Sequence, residues 1–179
     1  MTAQTVLDFW FKEIDANQWW TKSAEFDKLI ASRFGNIHAA AARCELYAWR
    51  ETPRGRLAEI IVLDQFSRNM FRDQPQAFAC DAMALVLAQA AVDKQADAAL
   101  EIQQRAFMYM PYMHSESPLV HSTALALFSQ AGLESSLASE HHHKGIIDRF
   151  GRYPHRNAIL GRASTAQELE FLAGPGSSF

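Results

Sequence analysis

Apolar positions recur three and four residues apart along almost the whole chain, and the two-residue alternation of a half-buried strand is nearly absent. The pattern predicts an all-α fold. Val6, Phe9 and Trp10 fall on one face of a first helix. Ser23 is placed to cap a second, in which Phe26, Leu29, Ile30, Arg33 and Phe34 form a stripe. Gly35-Asn36 is expected to interrupt it briefly before an alanine-rich continuation over 38–44. Thr52-Pro53 supplies an N-cap followed by proline at the first helical position. The helix it opens, 53–69, is apolar on nearly every side: Leu57, Ile60 and Ile61 on one stripe, Val62, Leu63 and Phe66 on the other. Such a helix belongs at the centre of the fold.

Pro75 opens a further helix that ends near 93–95. Asp97 is read as the cap of one running through Phe107 and stopped by Pro111. Pro118 begins another that ends at Gly132, and Ser135 or Ser136 starts one carrying Leu137, Ile146, Ile147 and Phe150. Thr165 and Glu168 stand as a capping box before a last short helix. About eight helices joined by short turns predict one domain over 1–179, built of stacked antiparallel pairs. Fragments of the 34-residue tetratricopeptide pattern occur near Phe78, with no clean repeat period.

Several strings along this helical framework are distinctive: TPRGRL at 52–57, LDQFSRNMFR at 63–72, AFACDAMAL at 77–85, YMPYMHSE at 109–116 and RFGRYPHRNAILGR at 149–162. Together with VLDFWF at 6–11, they make the chain resemble the bacterial DUF924 family over nearly its whole length. The resemblance implies a compact all-helical fold similar to tetratricopeptide-like helix pairs, and it brings no established activity, substrate or catalytic residue. Three positions depart from the family pattern: Cys44 replaces the glycine usual before Glu-Leu, Ser67 the proline usual after LDQF, and His121 the glutamine usual after HSE. The Ser67 departure is expected to loosen the bend between the central helix and Arg68-Asn69.

With 49% hydrophobic and 21% charged residues and a net charge of −3, the chain is neither disordered nor basic enough to seek nucleic acid. Cys44 and Cys80 lie in no paired motif, which fits a reducing cytoplasm. The start lacks a basic leader, and the uninterrupted apolar runs fall well short of about 20 residues, so no membrane association is expected. Phosphate-loop, dinucleotide and nucleophile-elbow patterns are missing, and no cofactor is called for.

The charge is unevenly placed. Arginines outnumber lysines 12 to 5, and residues 149–163 hold four arginines with no acid. Arginine forks suit carboxylate or phosphate, so Arg68, Arg152 and Arg156 are candidates for binding a small anion. Internal ion pairs to Glu59, Asp64 and Asp148 are the structural alternative. Asp64 falls on the Leu57-Ile60-Ile61 stripe, where a carboxylate needs partners. Arg68 at i+4 and Gln65 beside it supply some, and the C-terminal arginines are expected to supply the rest. It reads either as a general base or orienter of His155, or as a tie to the 149–157 loop.

The proposed ligand-binding set is therefore Asp64, Gln65, Arg68, Asn69, Arg152, His155 and Arg156. His114, Glu116 and His121 have short spacing, but Pro118 intervenes and no metal site is expected. The consecutive His141, His142 and His143 spread around a helix and read as solvated, while Trp10, Trp19, Trp20 and Trp49 read as core. Two functions follow from these residues: a protein binding, or acting on, a small anionic ligand, and a helical scaffold for a protein partner.

Overall fold

The computed structural model describes residues 1–177, and every regular element among them is helical. Helix α1 (Ala3–Asp8) runs directly into a π turn at Phe9–Glu13. Helix α2 (Ala24–Ala42) starts at Ser23, whose hydroxyl accepts the Phe26 N–H at 3.2 Å. It is continuous through Gly35-Asn36, because Phe26, Ile30, Phe34, His38 and Ala41 stay on one buried face across the expected break.

The central rod is made of three joined pieces: α3 (Pro53–Ile61), a π turn at Val62–Phe66 and α4 (Ser67–Met70). Residues 57–67 are all buried. Thr52 caps the rod by accepting the Gly55 N–H at 3.0 Å. Ser67 is engaged on both sides: its hydroxyl donates to the Leu63 carbonyl at 2.6 Å and lies 2.8 Å from His38 Nε2, tying the rod to α2. Gly55 has no room for a side chain, since a Cβ would sit 1.9 Å from the Trp49 carbonyl oxygen. Gly55→Ala is expected to push the helix start off the preceding turn and lower unfolding free energy by about 3 kcal/mol, which urea titration would measure.

Helix α5 (Asp81–Asp93) begins later than Pro75 suggests, after a 3-10 turn at Pro75–Phe78. The joint stretch Pro75–Asp93 is long and apolar enough, by length and composition, to cross a membrane, and a third of it is buried within the fold. Asp97 does not cap a long helix. It lies in a 3-10 turn (Ala96–Ala99), and its carboxylate accepts the Tyr109 hydroxyl.

Helix α6 (Ile102–Met113) passes through Pro111 instead of stopping there, with residues 106–113 all buried. Proline removes one donor, but the packing on both sides carries the helix another turn to the His114 cap, whose N–H bonds the Met110 carbonyl at 3.0 Å. Helices α7 (Pro118–Phe128) and α8 (Glu134–Phe150) follow. Gly151, at φ 68°, ends α8 in the left-handed conformation that glycine tolerates best. A short 3-10 turn (Pro154–Arg156) precedes α9 (Ala166–Leu172), which opens on the expected Thr165/Glu168 capping box.

The rod packs against α1, α2, α5 and α6, and α6, α7 and α8 pack in succession. Its apolar surface meets an aromatic cluster in which Phe34 stands 4.8 Å from Phe66 and Trp10 is edge-on to Phe66 at 5.5 Å. Burial of these rings supplies much of the folding energy. Trp10 is core as expected, whereas Trp20 is 67% exposed. Ile146, Ile147 and Tyr153 form a smaller core where α8 meets the loop before α9.

Candidate functional site

The rod delivers Asp64 to a corner formed by the end of α6, the start of α5 and the Pro154–Arg156 turn. A π turn adds a residue to the helical repeat, and such insertions often mark functional positions. Asp64 is 0% exposed and collects three donors: Gln65 Nε2 at 2.5 Å, His114 Nδ1 at 2.8 Å and Arg68 NH1 at 3.1 Å. Burial alone would raise its pKa. The Arg68 guanidinium, and after it His114, outweigh burial and hold the carboxyl well below the usual range.

The residue Asp64 orients is therefore His114, which the extra turn of α6 beyond Pro111 carries into place, and not His155. Burial and then the Arg68 charge lower the His114 pKa, so the imidazole is neutral. With Nδ1–H donated to Asp64, Nε2 is left as the acceptor. That nitrogen makes no hydrogen bond among the described residues and is not one of the solvent-shielded atoms, while the side chain is 15% exposed.

Arg68 also bonds the Asp64 carbonyl at 2.9 Å and both oxygens of Asp81 at 3.1 Å. Arg156 reaches the same carboxylate at 3.2 Å and the His114 carbonyl at 3.1 Å. Its guanidinium lies between two rings, 4.6 Å from the centroids of both Phe78 and Tyr153. Burial, then repulsion from Arg68, lowers the Arg156 pKa below the usual guanidinium range.

Tyr153 fixes this turn: its hydroxyl donates to the Met113 carbonyl at 2.5 Å and its N–H to Glu116 at 2.7 Å. Arg162 clamps Glu116 through bonds of 2.6 and 2.9 Å. His155 packs beside the Tyr153 ring at 5.6 Å, and burial, then Arg156, depress its pKa to about 4.

Of the seven residues read from sequence, Asp64, Gln65, Arg68 and Arg156 meet in this corner, with His155 on the same turn as Arg156. Arg152 does not join them, because it pairs with Glu168 at 2.6 and 2.8 Å and ties the loop to α9. Asn69 points to Asp27 on α2, which also receives Arg72. The four arginines that lacked a nearby acid in the sequence scheme thus find acids from distant segments, except exposed Arg149, which stacks on Phe150. Asp148 pairs with Lys144 and not with an arginine, while Glu59 takes Arg50 at 2.6 and 2.7 Å.

His121, read beside His114, turns away into a buried pair with Glu140 at 2.7 Å. The His141–His143 run is not uniformly solvated: His143 is buried and donates to the Ser139 carbonyl at 2.7 Å. Sequence reasoning missed Asp81 altogether and weighed His114 only as a metal ligand. Asp81 lies 13 and 75 positions from its two arginines, so no local spacing points to it.

The model of a family described as bacterial proteins of unknown function (DUF924) matches residues 6–176. The chain belongs to the DUF924 family. A solved structure of a protein of unknown function, ATU0120 from Agrobacterium tumefaciens, superimposes with a TM-score of 0.91 at 38% identity, covering 95% of this chain and 96% of that one. No curated protein matches the sequence. The LDQF, MHSE and PHRN strings singled out in the sequence lie at the corner, through Asp64, His114 and Arg156.

Proposed function

We propose that this DUF924 chain binds a small anionic molecule, bearing a carboxylate or phosphate, at the corner of Arg68, Arg156 and His114. The observation that carries this reading is the His114 imidazole held through Nδ1 by Asp64, which also binds Arg68, with Arg156 on the His114 carbonyl and against the Phe78 and Tyr153 rings. Two cations fix the anionic group, and Nε2 accepts a hydrogen bond or a proton from a neighbouring hydroxyl or water. Asp64 keeps the ring in the tautomer that this requires and stabilises the imidazolium if the proton moves. The Arg68 side chain is 21% exposed, and both ends of its fork are engaged by Asp64 and Asp81. Asp64 and Gln65 position the site, and His155 lines the turn beside it. The two free cysteines fit a reducing compartment such as the cytoplasm.

Phosphate, sulfate or succinate is expected to raise the melting temperature saturably, since a ligand bound only to the folded state stabilises it by mass action. Arg156→Gln should abolish the response while leaving a folded protein. A flat response of the wild type to all three anions would sink the proposal.

A further inference from the structure

We propose that Asp81 occupies the seat of the ligand's own carboxylate, so that this corner, read as above as an anion site, takes a small carboxylic acid that displaces the chain's own carboxylate. Three observations point this way. First, Asp81 receives Arg68 through two parallel bonds and Arg156 through a third, the fork geometry by which arginines recognise a carboxylate. Second, these bonds are 3.1 to 3.2 Å long. Apart from Arg68–Asp64, also 3.1 Å but with its carboxylate fully buried, the arginine–carboxylate pairs Arg50–Glu59, Arg72–Asp27, Arg152–Glu168 and Arg162–Glu116 close to 2.6 Å. Asp81 is thus held at longer range than those four carboxylates, and unlike Asp64 it is partly exposed.

Third, Asp81 is the first residue of α5 and remains 19% exposed, so its side chain has solvent to swing into without disturbing the helix behind it. Asp64 is the contrast: fully buried and held by three donors, it has no such exit. With Asp64 and Asp81 both in place, the two arginines are neutralised, and an incoming anion must compete with Asp81. Removing that charge leaves the corner one positive charge in excess, with both arginine forks short of a carboxylate.

The test compares wild type with Asp81→Asn, using acetate and formate as probes and chloride at matched ionic strength as control. Asp81→Asn is expected to melt lower than wild type in chloride and to recover saturably with acetate or formate. Calorimetry should give at least a tenfold lower dissociation constant than for wild type. Arg156→Gln in the Asp81→Asn background should remove the recovery. If Asp81→Asn does not fold, Asp81→Ser, which suits a helix start, takes its place.

Equal carboxylate affinity in wild type and variant, or equal recovery with chloride, would overturn the inference. Where the wild type still responds to phosphate in that case, the anion site stands and only the displacement by a carboxylate fails. Where neither protein responds to any anion, both readings fall.

Discussion

Asp64→Ala is expected to lower unfolding free energy by roughly 3–5 kcal/mol, the cost of breaking a buried ion pair by removing one partner. The substitution strips the common acceptor from Gln65, His114 and Arg68 at the point where the rod meets α6. Arg68 retains Asp81, but the Nδ1–H of His114 is left in a shielded position without an acceptor, and alanine opens a void in a fully buried turn. Asp64→Asn should cost less, because it keeps the volume and one acceptor oxygen while losing the charge. Urea unfolding followed by circular dichroism measures both. A loss below about 1 kcal/mol for Asp64→Ala would mean that the carboxylate is not the hub of the corner.

Acidification is expected to produce the second large effect. The pKa values of His143 and His155 are depressed from 6.5 to about 3 and about 4, in both cases chiefly by burial. The unfolded chain therefore takes up protons near pH 6.5 that the folded chain refuses until well below. Stability is complete above pH 6.5, falls as pH drops through the window from 6.5 to 4, and continues to fall toward 3 as His143 is forced to charge. A tenfold difference in proton affinity is worth about 1.4 kcal/mol, so His155 alone accounts for about 3 kcal/mol at the acid end. Asp64, whose folded pKa is depressed, adds its own loss only below its ordinary value of 3.8. Melting temperatures at pH 7.5, 5.5 and 4.5 should decline, and His155→Gln should flatten part of the slope. A profile that is level or rises on acidification contradicts the burial assigned to these rings.

The architecture was legible because helix caps and apolar stripes are local signals. Thr52-Pro53, Ser23 and the Thr165/Glu168 box all open helices where the sequence places them. Local rules failed where tertiary packing overrode them. Pro111 is carried inside α6 by buried neighbours, and Gly35-Asn36 is bridged by an uninterrupted buried face. Ser67 ties the rod to α2 through its hydroxyl, which meets the Leu63 carbonyl and His38.

The corner was half legible for the same reason. A carboxylate on an apolar stripe announces that Asp64 needs partners, and Arg68 and Gln65 are near it in sequence. His114 lies 50 positions away and arrives only because α6 outruns its proline. Arg152 and Asn69 looked equivalent to the site residues by composition. They are drawn elsewhere by Glu168 and Asp27, carboxylates whose proximity depends on the folded path of the chain.

The central claim is that His114 presents an unprotonated Nε2 as the acceptor for a hydroxyl or water beside an anion held by Arg68 and Arg156. Long-range ¹⁵N–¹H correlation spectra of histidine-labelled protein test it most directly, with His114 assigned through His114→Gln. The account predicts at pH 7 a neutral ring protonated on Nδ1, whose Nε2 resonance shifts saturably as phosphate or succinate is added, with the same midpoint as the melting response. A ring protonated on Nε2, or an Nε2 resonance that stays fixed while the anion saturates the protein, would contradict it.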